Sequence, residues 1–280
     1  MLLDKPIDKS ITKVYHYPKI TKKGGMFMNR SSNPAIKKLN SQPDAFGFGA
    51  VETASYAGIG IKVGIYLALT IVSAILFVAL LPTILTNNPT LAIALLIMFF
   101  VTAGISSIVA AFRPKAAGFA GGIYCVAEGA VVGLVSSLFE AVVQGVIIMA
   151  LLATVFTLAV VALLYFTGIV RVGSRFRRFV LVALISLLLT QLVFFLLTLF
   201  VPSVALVFYD NFGLQLVVSL VFIIVAALCM FTDFDNMTNI VENGLSKNYE
   251  WYAAYGLMVT LIWLYMEFLR LALILFSNRD

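Results

Sequence analysis

Long uncharged apolar segments alternate with short polar ones along most of the chain. The longest extends from Val63 to Phe112 and is interrupted only at Thr86–Pro89. Others cover residues 142–170, 179–209 and 211–232. Each exceeds the roughly 20 residues that a helix needs to cross the hydrocarbon core of a bilayer. Because backbone groups in lipid must be paired internally, runs of this length predict helices rather than the shorter alternating strands of a barrel.

The pattern predicts seven membrane-spanning helices, packed as an all-α seven-transmembrane-helix bundle. Their expected bounds are 63–85, 91–112, 116–139, 142–169, 179–201, 211–232 and 251–276. The preceding residues, 1–62, are polar and without sustained periodicity, so we expect a mostly disordered tail. The chain thereby divides into a tail, 1–62, and a transmembrane domain, 63–280.

The composition agrees with a multi-pass membrane protein. Hydrophobic residues make up 62% of the chain and charged residues only 11%. Soluble domains carry about 25% charged residues. A soluble enzyme or binding domain is therefore excluded.

The basic residues predict how the bundle is oriented. Ten of the nineteen Lys and Arg residues lie in 1–62, and most of the others fall in the 2–3, 4–5 and 6–7 loops. The 1–2, 3–4 and 5–6 loops have none. Since basic loops stay on the cytoplasmic side, we expect the N-terminus inside and the C-terminus outside. The tail should touch anionic lipid, and its lack of interleaved aromatic residues argues against nucleic-acid binding.

Predicted helix 3 carries a stripe of small residues. Gly118, Gly122, Gly129 and Gly133 fall on one helical face. They form two small-xxx-small pairs, which allow another helix backbone to approach closely. We therefore expect helix 3 to be central or tightly packed.

The same helix contains an acid near its middle, Glu128, and no basic residue. A carboxyl group at this depth is protonated, paired across helices or open to a cavity. Arg270 is the candidate partner at a comparable depth. Two roles for Glu128 therefore stay open: a structural ion pair with Arg270, or a part in transport.

Further acidic groups flank the last two predicted helices. Asp233 and Asp235 stand at the end of predicted helix 6, where the negative end of the helix dipole disfavours carboxylates. A bound cation or proton would relieve this repulsion, although solvated loop acids remain the alternative. Glu267 and Arg270 lie three residues apart in predicted helix 7, close enough to pair. They are either a self-neutralising pair or a titratable carboxylate tuned by a fixed positive charge.

No enzymatic motif accompanies these acids. Predicted helix 7 has no lysine for a retinal Schiff base, and the chain lacks the Gly-x-Gly-Asp of aspartyl intramembrane proteases. Gly-x-Ser-x-Gly, His-Glu-x-x-His, phosphate-binding loop and Cys-x-x-Cys motifs are also missing. We expect neither an enzyme nor a resident cofactor.

Several short motifs carry a family resemblance. Phe234-Asp235, Ile240–Gly244 and Leu264–Phe268 resemble the end of the Bax inhibitor-1/YccA family, also called the transmembrane Bax inhibitor motif family. The Arg30–Ala35 and Tyr249–Ala254 segments resemble its longer bacterial branch. The resemblance implies a seven-helix protein of the bacterial inner membrane with its N-terminus inside.

The resemblance also implies a site. In that family an acid on the sixth helix and an acid on the seventh form a pH-sensing pair that gates a calcium leak. Asp235 matches the first position, with Asp233 as a substitute acid. The Leu-Tyr-acid-Phe motif gives Glu267 for the second position, with Arg270 as its electrostatic tuner. An ungapped match instead gives Thr260, which lies two turns away on the same face.

We therefore expect a pH-sensitive cation leak, with calcium as the implied ion and protonation of buried carboxylates as the gate. Neighbouring carboxylates titrate as a unit. Calcium prefers about six to eight oxygen ligands, so these few acids predict transient passage rather than tight binding. The alternative is an interaction protein that restrains a membrane protease or another membrane partner, which the resemblance implies for some bacterial members. A secondary transporter is the third possibility, without a clear inverted repeat to support it.

Overall fold

A computed structural model describes residues 52–277, apart from residues 202, 204, 205, 207 and 209. Over these residues, seven helices are long and apolar enough to cross a membrane. In chain order they are α1 (Tyr56–Asn87), α2 (Pro89–Phe112), α3 (Ala117–Val142), α4 (Val146–Phe166), α5 (Ser174–Phe200), α6 (Phe212–Glu242) and α7 (Tyr249–Ser277). The predicted all-α seven-helix bundle is confirmed. The predicted disorder and lipid contacts of the tail fall on residues outside the described ones.

Side-chain caps define several helix starts. The Ser55 hydroxyl accepts the Gly58 N–H at 3.0 Å at the start of α1. Asn88 does the same for Leu91 at the start of α2, at 3.1 Å, directly before a proline at the first helical position. Such caps satisfy N–H groups that have no partner within the helix. The α1–α2 turn is therefore specified locally by its sequence.

The centre of the bundle is formed by α3 and α7. α3 packs mainly against α1 and α2, and α7 packs mainly against α6, α4 and α1. The fully buried side chains include Tyr66, Cys125, Met230 and Met258. α5, all of which is described, lies at the edge and buries only Val180. A loosely packed α5 beside a tightly packed α6 and α7 is the feature of the fold that matters most for the site.

α6 is longer than the hydrophobic pattern predicts. It continues ten residues beyond the expected end, to Glu242. Phe234, Met237 and Ile240 recur every three residues in this extension and are all buried, so an apolar stripe holds it against the bundle. The placement of Asp233 and Asp235 at a helix end was wrong, and the dipole argument built on it does not apply.

Two other helices begin well before their expected starts, and each contains a charged residue in its first two turns that finds a partner in the fold. α1 begins at Tyr56, and Lys62, which we assigned to the tail, lies within it and is buried. α5 begins at Ser174, so Arg177 belongs to its first turn rather than to a loop. Neither helix stops at a charge, since the charge is neutralised by tertiary contact.

Candidate functional site

Asp233 joins α6 to α7. Its Oδ2 accepts a hydrogen bond from the Thr260 hydroxyl at 2.6 Å. Thr260 is buried, and its hydroxyl also approaches the Gly256 carbonyl one turn earlier, at 3.3 Å. A Cβ at Gly256 would lie 3.5 Å from Asp233 Oδ1. The position that the ungapped match predicts on α7 therefore faces an acid of α6, but the acid is Asp233 rather than Asp235.

Asp235 points to the other side of α6 and contacts two further helices. Its Oδ2 forms an ion pair with Arg177 of α5, and its Oδ1 lies 3.4 Å from the Tyr165 hydroxyl of α4. That hydroxyl makes a closer hydrogen bond, of 3.0 Å, to Thr238. The Asp235 side chain is 16% exposed and that of Arg177 is 44% exposed. We call the Arg177–Asp235 ion pair the latch, because it ties the loosely packed α5 to α6.

Glu267 is not brought to Asp235. It lies seven residues after Thr260, about 10 Å further along α7. Its side chain is buried, and its Oε2 has no hydrogen-bond partner in the described part of the chain. The Ser219 hydroxyl of α6 approaches the Glu267 backbone carbonyl at 3.5 Å. The pairing of Asp235 with Glu267 that the resemblance implies is therefore not among the contacts of the described residues.

Arg270 acts on Glu267 only at a distance. The arginine is close enough to influence the carboxyl group electrostatically. Its guanidinium, however, lies 5.8 Å above the centre of the Phe208 ring, and no ion pair joins the two residues among those found between described residues. Of the two alternatives for Glu267 and Arg270, the self-neutralising ion pair is not found among the described residues.

Glu128 stands apart from both groups. It is half-buried on α3, and its electrostatic neighbours are Tyr124, Cys125 and Tyr255. The proposed tie to Arg270 is not among the ion pairs of the described residues. Glu128 is thus an intramembrane acid surrounded by hydroxyl and thiol groups rather than by a cation.

The glycine stripe of α3 packs inside the bundle. A Cβ at Gly129 would come within 2.5 Å of the Thr70 carbonyl, and one at Gly133 within 2.7 Å of the Ala74 carbonyl, both on α1. Gly118 packs against Trp251 of α7. Gly122 differs, because a Cβ there would meet only a Leu69 methyl, at 3.9 Å. The stripe therefore serves internal helix packing, and Gly122 borders open space.

A buried charge cluster was missed by the sequence analysis. Glu250 in the first turn of α7 pairs with Lys62 of α1 and accepts both the Ser55 N–H, at 2.8 Å, and the Ser55 hydroxyl, at 3.2 Å. The Lys62 ammonium also lies 5.2 Å from the Trp251 ring centre. Gly58 leaves room for the carboxylate, which a Cβ there would overlap. The available signal was a basic residue, Lys62, directly before the first apolar run and an acidic residue, Glu250, directly before the last one.

The segment before α1 is bonded to the α6–α7 loop beside this cluster. Ala54 N–H donates to the Leu245 carbonyl and Lys247 N–H donates to the Glu52 carbonyl, both at 2.8 Å. The Glu52 and Lys247 side chains form an exposed ion pair of 2.5 Å. We call these contacts the clasp; they fix the start of α1 relative to the start of α7.

These acids do not form a preorganised metal site. In residues 52–277, as far as they are described, no three His, Cys, Asp or Glu side chains come together as metal ligands. The acids instead occupy separate positions, with Asp233 bound to a hydroxyl, Asp235 to a guanidinium and Glu267 with a free oxygen. The arrangement suits groups that gain or lose a proton or meet a cation briefly.

Comparison with known families now identifies the architecture. The family described as Bax inhibitor 1 like matches residues 21–277, which is most of the chain. The chain belongs to the Bax inhibitor 1 like family. Searches of curated proteins and of solved structures found no match.

Two of the motifs that carry the Bax inhibitor 1 like resemblance lie at the site or next to it. Phe234-Asp235 lies in the extension of α6, and Gly244 ends it with φ 62°, a left-handed conformation that favours glycine. The residue after it, Leu245, supplies the carbonyl that holds the clasp. Together with the seven apolar helices, the family match indicates a multi-pass membrane protein.

Proposed function

We propose that this protein of the Bax inhibitor 1 like family is a pH-sensitive cation leak, with calcium as the implied ion and protonation of buried carboxylates as the gate. The observation that carries the proposal is the pair of acids Asp233 and Asp235. They lie two residues apart, yet one is held by a hydroxyl of α7 and the other by a cation of α5. A single turn of α6 thus connects the half-buried Asp233 to the Asp235–Arg177 ion pair.

The latch acts as the gate. The attraction between the Asp235 carboxylate and the Arg177 guanidinium holds α5 against α6. If either partner is uncharged, the contact is only a weaker hydrogen bond. The groups facing Asp235 are Arg177, Tyr165 and Thr238, so Arg177 is the charged group among these neighbours. Loss of this ion pair therefore releases α5, which buries little of its own surface.

Asp233 is the acid that a passing cation meets. It offers two carboxylate oxygens beside the Thr260 hydroxyl at 2.6 Å. Calcium prefers about six to eight oxygens, so water must supply most of the ligands. Weak, partly hydrated binding at one carboxylate fits a leak and not a storage site.

Glu267 is the second intramembrane acid of this mechanism. Its unpaired Oε2 is buried about 10 Å from Thr260 along α7. An uncompensated ionised carboxyl group is expensive in such surroundings, so proton uptake or a visiting cation is favoured. Glu267 would extend the path from Asp233 along α7, with Arg270 tuning it electrostatically. Glu128 would contribute a further acid on α3.

The test is calcium entry into liposomes that contain the purified protein, at about pH 6 and about pH 8. We expect greater flux at the lower pH, reduced several-fold by Asp233→Asn and less strongly by Glu267→Gln. Glu242→Gln is the matched control, because Glu242 is an exposed acid on the same helix. Equal flux in protein-containing and empty liposomes at both pH values, with the protein folded, would refute the leak.

That outcome would favour the alternative, restraint of a membrane protease or another membrane partner. The internal packing of the glycine stripe gives this alternative less support than the sequence did. Under either function we propose a bacterial inner-membrane location with the N-terminus inside, and no enzymatic activity.

A further inference from the structure

An apolar groove lies between α1, α2 and α3, and the carboxylates of α6 and α7 do not line it. Its volume is about 450 Å³, within the range of small-molecule binding sites. Three helices line it, and the lining includes Leu69 of α1, Met98 and Thr102 of α2, and Gly118, Gly122 and Val126 of α3. The lining is almost entirely apolar, which suits a hydrocarbon chain.

The groove begins at the first turn of α3, where the membrane boundary is marked. The Tyr66 hydroxyl donates to the Ala117 carbonyl at 2.8 Å, so this part of α1 is level with the start of α3. Trp251 packs on Gly118 at the same level. Tryptophan prefers the headgroup region of a bilayer. From Gly118 the groove continues about 13 Å along α3 toward Ala127.

Two basic residues stand just before this turn. Arg113 and Lys115 are exposed in the α2–α3 connection, and neither takes part in an ion pair between described residues. The groove therefore combines a cationic mouth with an apolar body. That combination complements a lipid with an anionic headgroup, since basic residues at a membrane surface attract such lipids.

We propose that the groove binds one anionic phospholipid, with its phosphate at Arg113 and Lys115 and one acyl chain along α3. Gly122 is the residue that keeps the groove open. A Cβ there would meet only the Leu69 methyl at 3.9 Å, so the position accepts a side chain, and a larger one would extend into the space of the acyl chain. This lipid site does not depend on the proposed leak.

The chain allows a direct fluorescence test, because it has only two tryptophans. A Trp263→Phe variant leaves Trp251, which packs on the groove-lining Gly118, as the single reporter. Full-length protein in vesicles is titrated with phosphatidylglycerol or phosphatidylcholine brominated high on one acyl chain, which quenches nearby indoles. We expect the anionic lipid to associate roughly tenfold more strongly.

In this background, the double variant Arg113→Gln with Lys115→Gln should lose the preference for the anionic lipid. The control double variant, Arg171→Gln with Arg175→Gln in another basic region, should keep it. Equal quenching by both lipids in the Trp263→Phe variant would overturn the proposed phosphate site. A preference for the anionic lipid that is lost only in the Arg171→Gln with Arg175→Gln variant would also overturn it.

The groove is tested separately. Gly122→Leu should lower quenching by both lipids several-fold. Gly104→Leu on α2 is the control, because Gly104 faces open space and does not line the groove. Full quenching in the Gly122→Leu variant would show that the acyl chain lies elsewhere and would overturn the proposal.

Discussion

The Thr260 hydroxyl of α7 donates a hydrogen bond of 2.6 Å to the Asp233 carboxylate of α6. This bond links α6 to the central helix α7 through a single half-buried acid. Thr260, the α7 position given by the ungapped match, is thus bonded to an acid of α6. Glu267 occupies a separate position two turns further along.

Removing the Thr260 hydroxyl should destabilise the bundle. Thr260→Val keeps the shape but leaves the Asp233 oxygen without its donor, which costs about 1–3 kcal/mol in the free energy of unfolding. Thr260→Ser keeps the hydroxyl and should cost less. Thermal or denaturant unfolding in detergent measures both. A valine variant as stable as the serine variant would show that the bond contributes little.

Breaking the buried Lys62–Glu250 pair should have a larger effect. Both side chains are nearly inaccessible, at 10% and 1% exposed. Lys62→Met alone leaves a buried carboxylate unpaired, and we expect a loss of about 3–5 kcal/mol. The double variant Lys62→Met with Glu250→Gln should recover part of that loss. Strictly additive losses in this double-mutant cycle would mean that the two charges are not coupled.

Gly129 should tolerate no side chain. A Cβ there would lie 2.5 Å from the Thr70 carbonyl, a backbone atom that cannot move aside cheaply. Gly129→Ala should therefore separate α3 from α1 and lower stability by about 1–3 kcal/mol. Gly104→Ala, in open space on α2, should be neutral or stabilising, because alanine favours helix. Equal melting temperatures of the two variants would contradict the close approach.

The exposed ion pair of the clasp gives a pH dependence of known sign. The hydrogen bond and charge of Lys247 hold the pKa of Glu52 below its usual range. Its stabilisation is therefore fully present above the unfolded pKa of a glutamate, about 4.3, and is lost as pH falls through the lower folded pKa.

Comparing wild-type and Glu52→Gln melting temperatures should reveal a small difference near neutral pH that shrinks in acid. At the alkaline end, Glu52 raises the pKa of Lys247, so the difference should also fade as pH rises through that pKa. A difference that stays constant from acid to alkaline pH would indicate that the ion pair contributes nothing.

The sequence predicts the helices well because each apolar run is long, and lipid leaves the backbone no alternative to helix. The predicted helix ends were less accurate, because each helix was assumed to end where a charged residue occurs. Lys62 lies inside α1 because Glu250 neutralises it, and Asp233 lies inside α6 because Thr260 bonds to it. Partners nearly two hundred residues apart, such as Lys62 and Glu250, cannot be deduced from spacing along the chain.

The acids of the site could be selected from the sequence, but their partners could not. Asp235 and Asp233 were identified by the rarity of charge beside apolar segments. Which of them faces α7 depends on the 100° rotation per residue and on an extension of α6 that the pattern did not predict. Arg177 was counted only as a basic loop residue, and its contact with Asp235 arises from an early start of α5.

The latch is the central element of the proposed mechanism, and neutralising either partner tests it most directly. Calcium flux into liposomes would be measured at about pH 6 and about pH 8 for wild type, Asp235→Asn and Arg177→Gln, with Arg178→Gln as the neighbouring control. We predict that both latch variants conduct at the higher pH as fast as wild type does at the lower one, while the control keeps the wild-type pH dependence. Latch variants whose flux still rises several-fold on acidification would contradict the account.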